Sequence, residues 1–303
     1  RETSDAELAR RINDERIDIL HDNSGHTDFS RLAVFARKPA PVQATWLGYF
    51  ATTGVREIDW KIGDPWVAPD AESGHFTEKL WRLPDSCFCF APPEGAPAVA
   101  ALPSEQNGHV TYGCFNNLAK VNDAVIATWS RILHADPAAR LLLKARQLGS
   151  DELRAGLLAR FAGHGIGPER LELEGAGAYA EYLATYARID LALDPFPFSG
   201  GATTADSLWM GIPVVTLQGD RFIAHQGESL MQAAGLGAMI AADVDAYVQL
   251  ALRTAADRPA LAALRAGLRA QVAASPLFDA ARYARNLEAA WRGMWADWCA
   301  RQH

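Results

Sequence analysis

The run Asp194-Pro195-Phe196-Pro197-Phe198-Ser199-Gly200-Gly201-Ala202-Thr203-Thr204-Ala205-Asp206 leaves an apolar strand, crosses a glycine pair and enters a helix. Glycines let a backbone approach an anion closely, and the free N–H groups of a helix start attract phosphate. Gly200, Gly201 and Ala202 make the turn. Thr203 and Thr204 could add hydroxyl donors, and Asp206 could accept from a ribose hydroxyl. The plainer reading is that Thr203-x-x-Asp206 caps the helix as an Asp variant of the capping box. The two readings are compatible.

A second candidate, Phe115-Asn116-Asn117-Leu118-Ala119-Lys120, ends another strand. Lys120 could point to the same cleft edge as the Gly-rich turn and, in an acidic chain with five lysines, neutralise a diphosphate leaving group. The competing reading is a solvated lysine at a helix start. Lys144, ending the next strand, is a weaker second cation with the same alternative. Tyr179 and Tyr182 precede the strand at Ile189, near where a nucleotide base could rest; Tyr182 could stack on it or simply pack within a helix. His26, in Gly25-His26-Thr27, could act as a base, a sugar contact or a structural loop residue. His21, His75, His109, His134, His164, His225 and His303 show no metal-ligand spacing, so no metal site is expected. No G-x-S-x-G, H-E-x-x-H or P-loop occurs.

These residues need a scaffold. Short extended runs are expected at Ile17 to Leu20, Val42 to Leu47, Ile58 to Ile62 and Cys87 to Phe90, with few helical patterns between them. Pro-rich Ala91 to Pro103 reads as a linker. Strands at Val110 to Phe115, Leu141 to Leu143, Leu171 to Leu173, Ile189 to Leu193 and Val214 to Leu217 then alternate with helices at Ala124 to Leu133, Leu153 to Phe161, Tyr179 to Tyr186, Thr203 to Met210 and Leu230 to Ala234. Such alternation predicts an α/β, Rossmann-like domain with its ligand beyond the carboxyl ends of the strands. From Val244 to Arg301 the chain reads as helical, broken at Pro259 and Ser275-Pro276. Trp291, Trp295 and Trp298 recur at i, i+4, i+7, a stripe expected to pack in the core, with a cofactor or partner face as the alternative.

The 303 residues are 49% hydrophobic and 21% charged, an ordinary globular balance that excludes disorder and collagen-like repeats. A net charge of −7 without basic blocks argues against nucleic-acid binding. Cys87, Cys89, Cys114 and Cys299 form no C-x-x-C and are expected as thiols. The thiol pattern leads to the expectation of a cytoplasmic protein; no apolar run reaches a membrane span of about 18 residues and no signal peptide is visible. The first residue is Arg, so a processed or cut chain is expected.

Taken together, the motifs resemble the O-GlcNAc transferase/SPINDLY family, glycosyltransferase family 41, in a bacterial form. The matching runs are Arg37-Lys38-Pro39-Ala40-Pro41-Val42-Gln43-Ala44-Thr45-Trp46-Leu47-Gly48-Tyr49, the Phe115 to Lys120 motif, Asp194-Pro195-Phe196-Pro197, Asp206-Ser207-Leu208-Trp209-Met210-Gly211-Ile212-Pro213-Val214-Val215-Thr216 and Ser275-Pro276-Leu277-Phe278. The resemblance implies a GT-B fold of two Rossmann-like domains facing across a cleft. Residues 1–103 would be the C-terminal part of the first, acceptor-side domain with the linker; 104–275 would bind the nucleotide sugar; 276–303 would be a helix packing back on the first domain.

The resemblance also implies an inverting, metal-independent transferase without a cofactor, moving GlcNAc from UDP-GlcNAc to Ser or Thr of proteins. Lys120 matches the family lysine on the donor diphosphate, and Asn117 the position of a neighbouring polar contact. Thr203 and Asp206 match the diphosphate and ribose contacts, and Tyr182 stands where the family places a His or aromatic ring against the base. Leu47 and Gly48 belong to the cleft-lining loop of the first domain. A lysine that contacts the base in animal members is Tyr179 here. The family's N-terminal helical repeats, and the first part of its first domain with an active-site histidine, are missing. The chain is therefore expected to be a C-terminal portion that works with that N-terminal region. Alternatives are protein O-fucosylation from GDP-fucose, a nucleotide-sugar epimerase and a non-catalytic nucleotide-binding module. Acceptors, general base and oligomeric state are not legible in the sequence.

Overall fold

Two separate parallel sheets organise the chain in the computed structural model, which describes residues 3–302. His303 and the first two residues lie outside the described part. Each sheet anchors its own unit. The first unit runs to Cys89 and adds Arg221–Ile223 and the chain from Ala280; the second comprises Phe90–Asp220 and Ala224–Asp279. The expected breaks at 103 and 275 thus lie inside the second unit. The proline-rich linker is held there by arginines of its last helix: Arg265 Nε donates to the Ala100 carbonyl at 2.7 Å, and Arg269 to that of Pro97 at 2.8 Å.

In the first unit, α1 (Asp5–Asp14), β1 (Ile19–Asp22), α2 (Leu32–Phe35), β2 (Val42–Thr45), β3 (Trp60–Gly63) and β4 (Lys79–Arg82) build a sheet of order β1-β2-β3-β4, parallel throughout. Ser4 caps α1 by accepting from the Glu7 amide, and Ala9 packs with Leu32, Val34, Phe35 and Ile58. That helix was not expected, because most of its residues face solvent and its apolar stripe is narrow. The strand expected at Cys87 to Phe90 is irregular: the Cys87 amide donates to Asp64 and that of Phe90 to the Leu277 carbonyl. The edge position is taken by β4, whose Lys79 and Arg82 ends hid it. Phe222 inserts edge-on against Trp46, with ring centroids 5.1 Å apart, which places Arg221–Ile223 in this unit. Fully buried Lys61 sits between these rings, 5.0 Å from each, and donates to the Tyr49 carbonyl at 2.6 Å. Burial pulls its pKa down to about 8.

The C-terminal helix, Ala280–Ala300, joins the first unit through a bidentate Arg282–Asp85 pair. Its tryptophan stripe departs from expectation. Ala290 and Met294 are the buried residues, whereas Trp291, Trp295 and Trp298 are half-buried. Periodicity marked a real helix face: Trp291 meets the His21 ring edge-on with centroids 6.0 Å apart, while the smaller Ala290 and Met294 are buried more completely. Trp295 and Trp298 instead stack on each other at 5.0 Å.

The second unit holds α3 (Ser104–Asn107), β5 (Thr111–Cys114), α4 (Asp123–Ala135), β6 (Arg140–Lys144), α5 (Asp151–Ala162), β7 (Leu171–Glu174), α6 (Tyr179–Thr185), β8 (Leu191–Leu193), α7 (Ala202–Trp209), β9 (Val214–Leu217), α8 (Gln226–Ala233), β10 (Ile240–Ala241), α9 (Val244–Ala256) and α10 (Arg258–Ala273). Its strands are ordered β10-β9-β8-β5-β6-β7, parallel throughout. Leu141, Leu142, Leu143, Leu191, Val214 and Val215 are buried, as expected of strands covered on both faces. Strand order reverses between β5 and β8. In a doubly wound sheet this switch point opens a crevice at the carboxyl ends of the strands.

Candidate functional site

Both sequence motifs leave the sheet at that switch point. After β5, Asn116 and Asn117 lead into a 3₁₀ turn, Leu118–Lys120; after β8, Asp194 to Gly201 lead into α7. The Lys120 ammonium donates to the Ser199 carbonyl at 2.7 Å and to Asn116 Oδ1 at 3.1 Å. Asn116 Oδ1 also accepts from Thr203 Oγ1 at 3.0 Å. One amide oxygen therefore ties the lysine to the first turn of α7. Burial lowers the Lys120 pKa, and the Asp194 carboxylate works against that shift.

The turn has a buried support. Asp194 accepts from the Gly200 amide at 2.6 Å and the Thr216 hydroxyl at 2.8 Å. Burial still pushes its pKa up to about 6, with those bonds and Lys120 opposing. A Cβ on Gly200 would lie 2.2 Å from Thr204 Oγ1, which explains the glycine. The start of α8 closes the far side, where the Gly227 amide donates to Ser199 Oγ at 2.9 Å.

The capping-box reading is corrected. Gly201 is the N-cap of α7 and makes no side-chain cap; Thr203 lies inside the helix and turns to Asn116, while Asp206 receives Tyr179. The amides of Ala202 and Thr203, in the first turn, have no acceptor within the helix. Thr204 is buried beneath the turn.

Beside this turn lies a hollow of about 390 Å³, lined among others by Phe115, Lys144, Arg146, Tyr179, Tyr182 and Asp206. The Tyr179 and Tyr182 rings stack at 5.8 Å. Tyr182 shares a 2.8 Å hydrogen bond with the Tyr186 hydroxyl, which donates to the Thr203 carbonyl at 3.1 Å. Tyr179 donates to Asp206 Oδ1 at 3.2 Å. Burial raises the Asp206 pKa, with hydrogen bonds from Tyr182 and Tyr179 opposing that shift. Lys144 is neither solvated nor a free cation: it is buried and pairs with Glu174 at 2.8 Å. Although burial pushes the Glu174 pKa upward, Lys144 and Arg188 together hold it below its ordinary value.

Asn117 is not brought to the lysine. It is exposed and accepts from the Ala119 amide and from Gln147 Nε2 at 2.6 Å. Asn116 takes the inward place, and sequence reasoning missed it along with Asp194 and Phe198. Their signal was adjacency to the strand ends.

In the first unit, the loops after β1 and β2 pack together. His26 Nε2 donates to the Thr53 carbonyl at 2.7 Å, and its ring meets the edge of Tyr49 at 5.1 Å. Gly25 has φ +53°, and a Cβ there would meet that of Tyr49. Gly48 lies against the Asn23 carbonyl, leaving no room for a side chain, and Leu47 is exposed.

Among the described residues, no group of three His, Cys, Asp or Glu side chains could hold a metal ion, and no helix is long and apolar enough to cross a membrane.

The sequence model described as glycosyl transferase family 41 matches residues 2–91 and 99–287. The chain belongs to glycosyl transferase family 41. Among its relatives in that family, a probable UDP-N-acetylglucosamine–peptide N-acetylglucosaminyltransferase SPINDLY of Petunia hybrida is 39% identical over 95% of this chain and 31% of its own length. A probable enzyme of the same description, SEC of Arabidopsis thaliana, is 32% identical over 99% of this chain and 31% of its own. The chain thus spans about a third of these curated relatives. A mutant O-GlcNAc transferase of Thermobaculum terrenum superposes with a TM-score of 0.93 at 37% identity, covering 99% of this chain and 57% of that one. The family 41 fold seen here is that of the GT-B glycosyltransferases.

Proposed function

We propose that this chain is the C-terminal part of the catalytic region of a cytoplasmic protein O-GlcNAc transferase that moves GlcNAc from UDP-GlcNAc to Ser or Thr. The observation that carries the reading is the meeting of the Lys120 ammonium with the first turn of α7 through Asn116. Positive charge and free helix-start amides then gather where a leaving diphosphate develops charge. Lys120, the turn Gly200-Gly201-Ala202 and Thr203 would hold the diphosphate, with Thr204 supporting the turn. Asp206 would take the ribose and Tyr182 the base. His26, Leu47 and Gly48 of the first unit would serve the acceptor, with the N-terminal repeat region of the whole protein as partner. With these groups neutralising the leaving group, the reaction would need no metal. A single displacement, in which the acceptor hydroxyl oxygen bonds the anomeric carbon and gives up its proton as the bond to UDP breaks, would invert that carbon.

Calorimetric titration tests the donor: UDP should bind more tightly than GDP, and the opposite order overturns the assignment. With UDP-GlcNAc tritiated in the sugar, the whole protein should label protein hydroxyls through β-linkages, in EDTA as well as without it. Lys120→Met should abolish the labelling. Release of free sugar with no labelled protein would defeat the transfer reading.

A further inference from the structure

We propose that Tyr179 sets donor affinity as a latch on Asp206, holding the carboxylate that a nucleotide's ribose must reach. The inference rests on the nucleoside-diphosphate reading above and deepens it.

Three tyrosines form a graded ladder beside the turn. Tyr186 is fully buried and fixed to the Thr203 carbonyl; Tyr182 is fixed to Tyr186 and also bonds Asp206 from the inner side; Tyr179, outermost, is 53% exposed and is the partner of Asp206 that can swing away. Only the outermost ring can leave without opening the core. Among the described residues its hydroxyl is tied by the 3.2 Å bond to Asp206 Oδ1, a long contact for two oxygens. The ring also shuts the stacking space over Tyr182. A base between the two rings would need about two stacking steps, roughly 6.8 Å on the 3.4 Å rise of stacked bases. The centroids stand 5.8 Å apart at 16°. Ribose recognition by Asp206 and base stacking on Tyr182 therefore call for the same outward swing of Tyr179.

The energetic consequence has a definite sign. An ionised carboxylate only accepts, so a vicinal pair of ribose hydroxyls offers Asp206 two donors where Tyr179 offers one. The ribose displaces the phenol, and the observed affinity is lowered by the bond broken. Tyr179→Phe keeps the ring and removes that bond.

The test is a double-mutant cycle read by calorimetric titration of UDP, carried to millimolar concentration, on the purified chain and its Tyr179→Phe, Asp206→Ala and doubly substituted forms. Tyr179→Phe should bind UDP roughly three- to tenfold more tightly, the span of one partly exposed hydrogen bond to a carboxylate. In the Asp206→Ala background the same substitution should change nothing, since no latch remains. Weaker binding by Tyr179→Phe, or a gain that persists without Asp206, overturns the latch. If the unsubstituted chain binds neither UDP nor GDP, the donor reading itself falls; if it binds UDP and the cycle is flat, only the latch does.

Discussion

The Lys120 ammonium lies 3.9 Å from the centroid of the Phe198 ring while donating to the carbonyl of the next residue, Ser199. The negative face of an aromatic ring attracts a cation by about 0.5–2 kcal/mol, more where water is excluded. The ring and the carbonyl together hold a long, flexible side chain at the mouth of the Gly-rich turn before any anion arrives. Phe198→Leu retains apolar bulk but removes the ring, so UDP affinity should fall about three- to tenfold. Lys120→Met should cost more, and the double substitution no more than Lys120→Met alone, because the ring acts through the lysine. Additive losses would show that Phe198 meets the nucleotide independently.

Gly200 and Gly156 should respond to alanine with opposite signs. At Gly200 the new Cβ would stand 2.2 Å from Thr204 Oγ1 and 3.0 Å from Asp194 Oδ1, both on buried residues that cannot retreat. Overpacking of this kind destabilises by about 1–3 kcal/mol and should displace the turn. Gly156 lies in the middle of α5, on its exposed side, where an added Cβ meets nothing within 4 Å. Alanine there should stabilise by about 0.5–1 kcal/mol. Urea unfolding of the two variants measures both. Stabilisation by Gly200→Ala would mean that the turn is looser than its contacts indicate.

Elements buried on both faces were the legible ones. The runs around β5, β6, β8 and β9 are largely apolar stretches between turn residues, and such stretches have few ways to be buried. The two residues of β10 carry no periodicity at all, and β4 announces itself by neither an apolar run nor alternation. The site divides in the same way. Lys120 and the Gly-rich turn stand out by residue type, whereas nothing in the letters separates Asn116 from Asn117; only the path of the chain leaving β5 turns one inward. The Lys144–Glu174 pair was equally invisible, because it depends on register: these residues face each other across β6 and β7. Strand order and register are tertiary facts, and a sequence read without a partner strand does not hold them.

Asp194 makes stability depend on pH with a sign opposite to that of most carboxylates. Its pKa rises from 3.8 to about 6 on folding, chiefly because it is buried, so the folded chain prefers the protonated form. A raised carboxyl pKa contributes stability that is fully present below the unfolded value and is lost as pH climbs through the folded one. The window is therefore about pH 4 to 6, and a shift of roughly two units corresponds to about 3 kcal/mol. Asp194→Asn is neutral throughout. The stability of this variant relative to the unsubstituted chain should rise by up to about 3 kcal/mol between pH 4 and pH 7, as measured by urea unfolding at each pH. The offset at pH 4 reports whatever the amide loses in accepting from Gly200 and Thr216. A difference that stays constant across the range would mean that Asp194 remains ionised even in acid, with its two hydrogen bonds and the Lys120 ammonium outweighing burial.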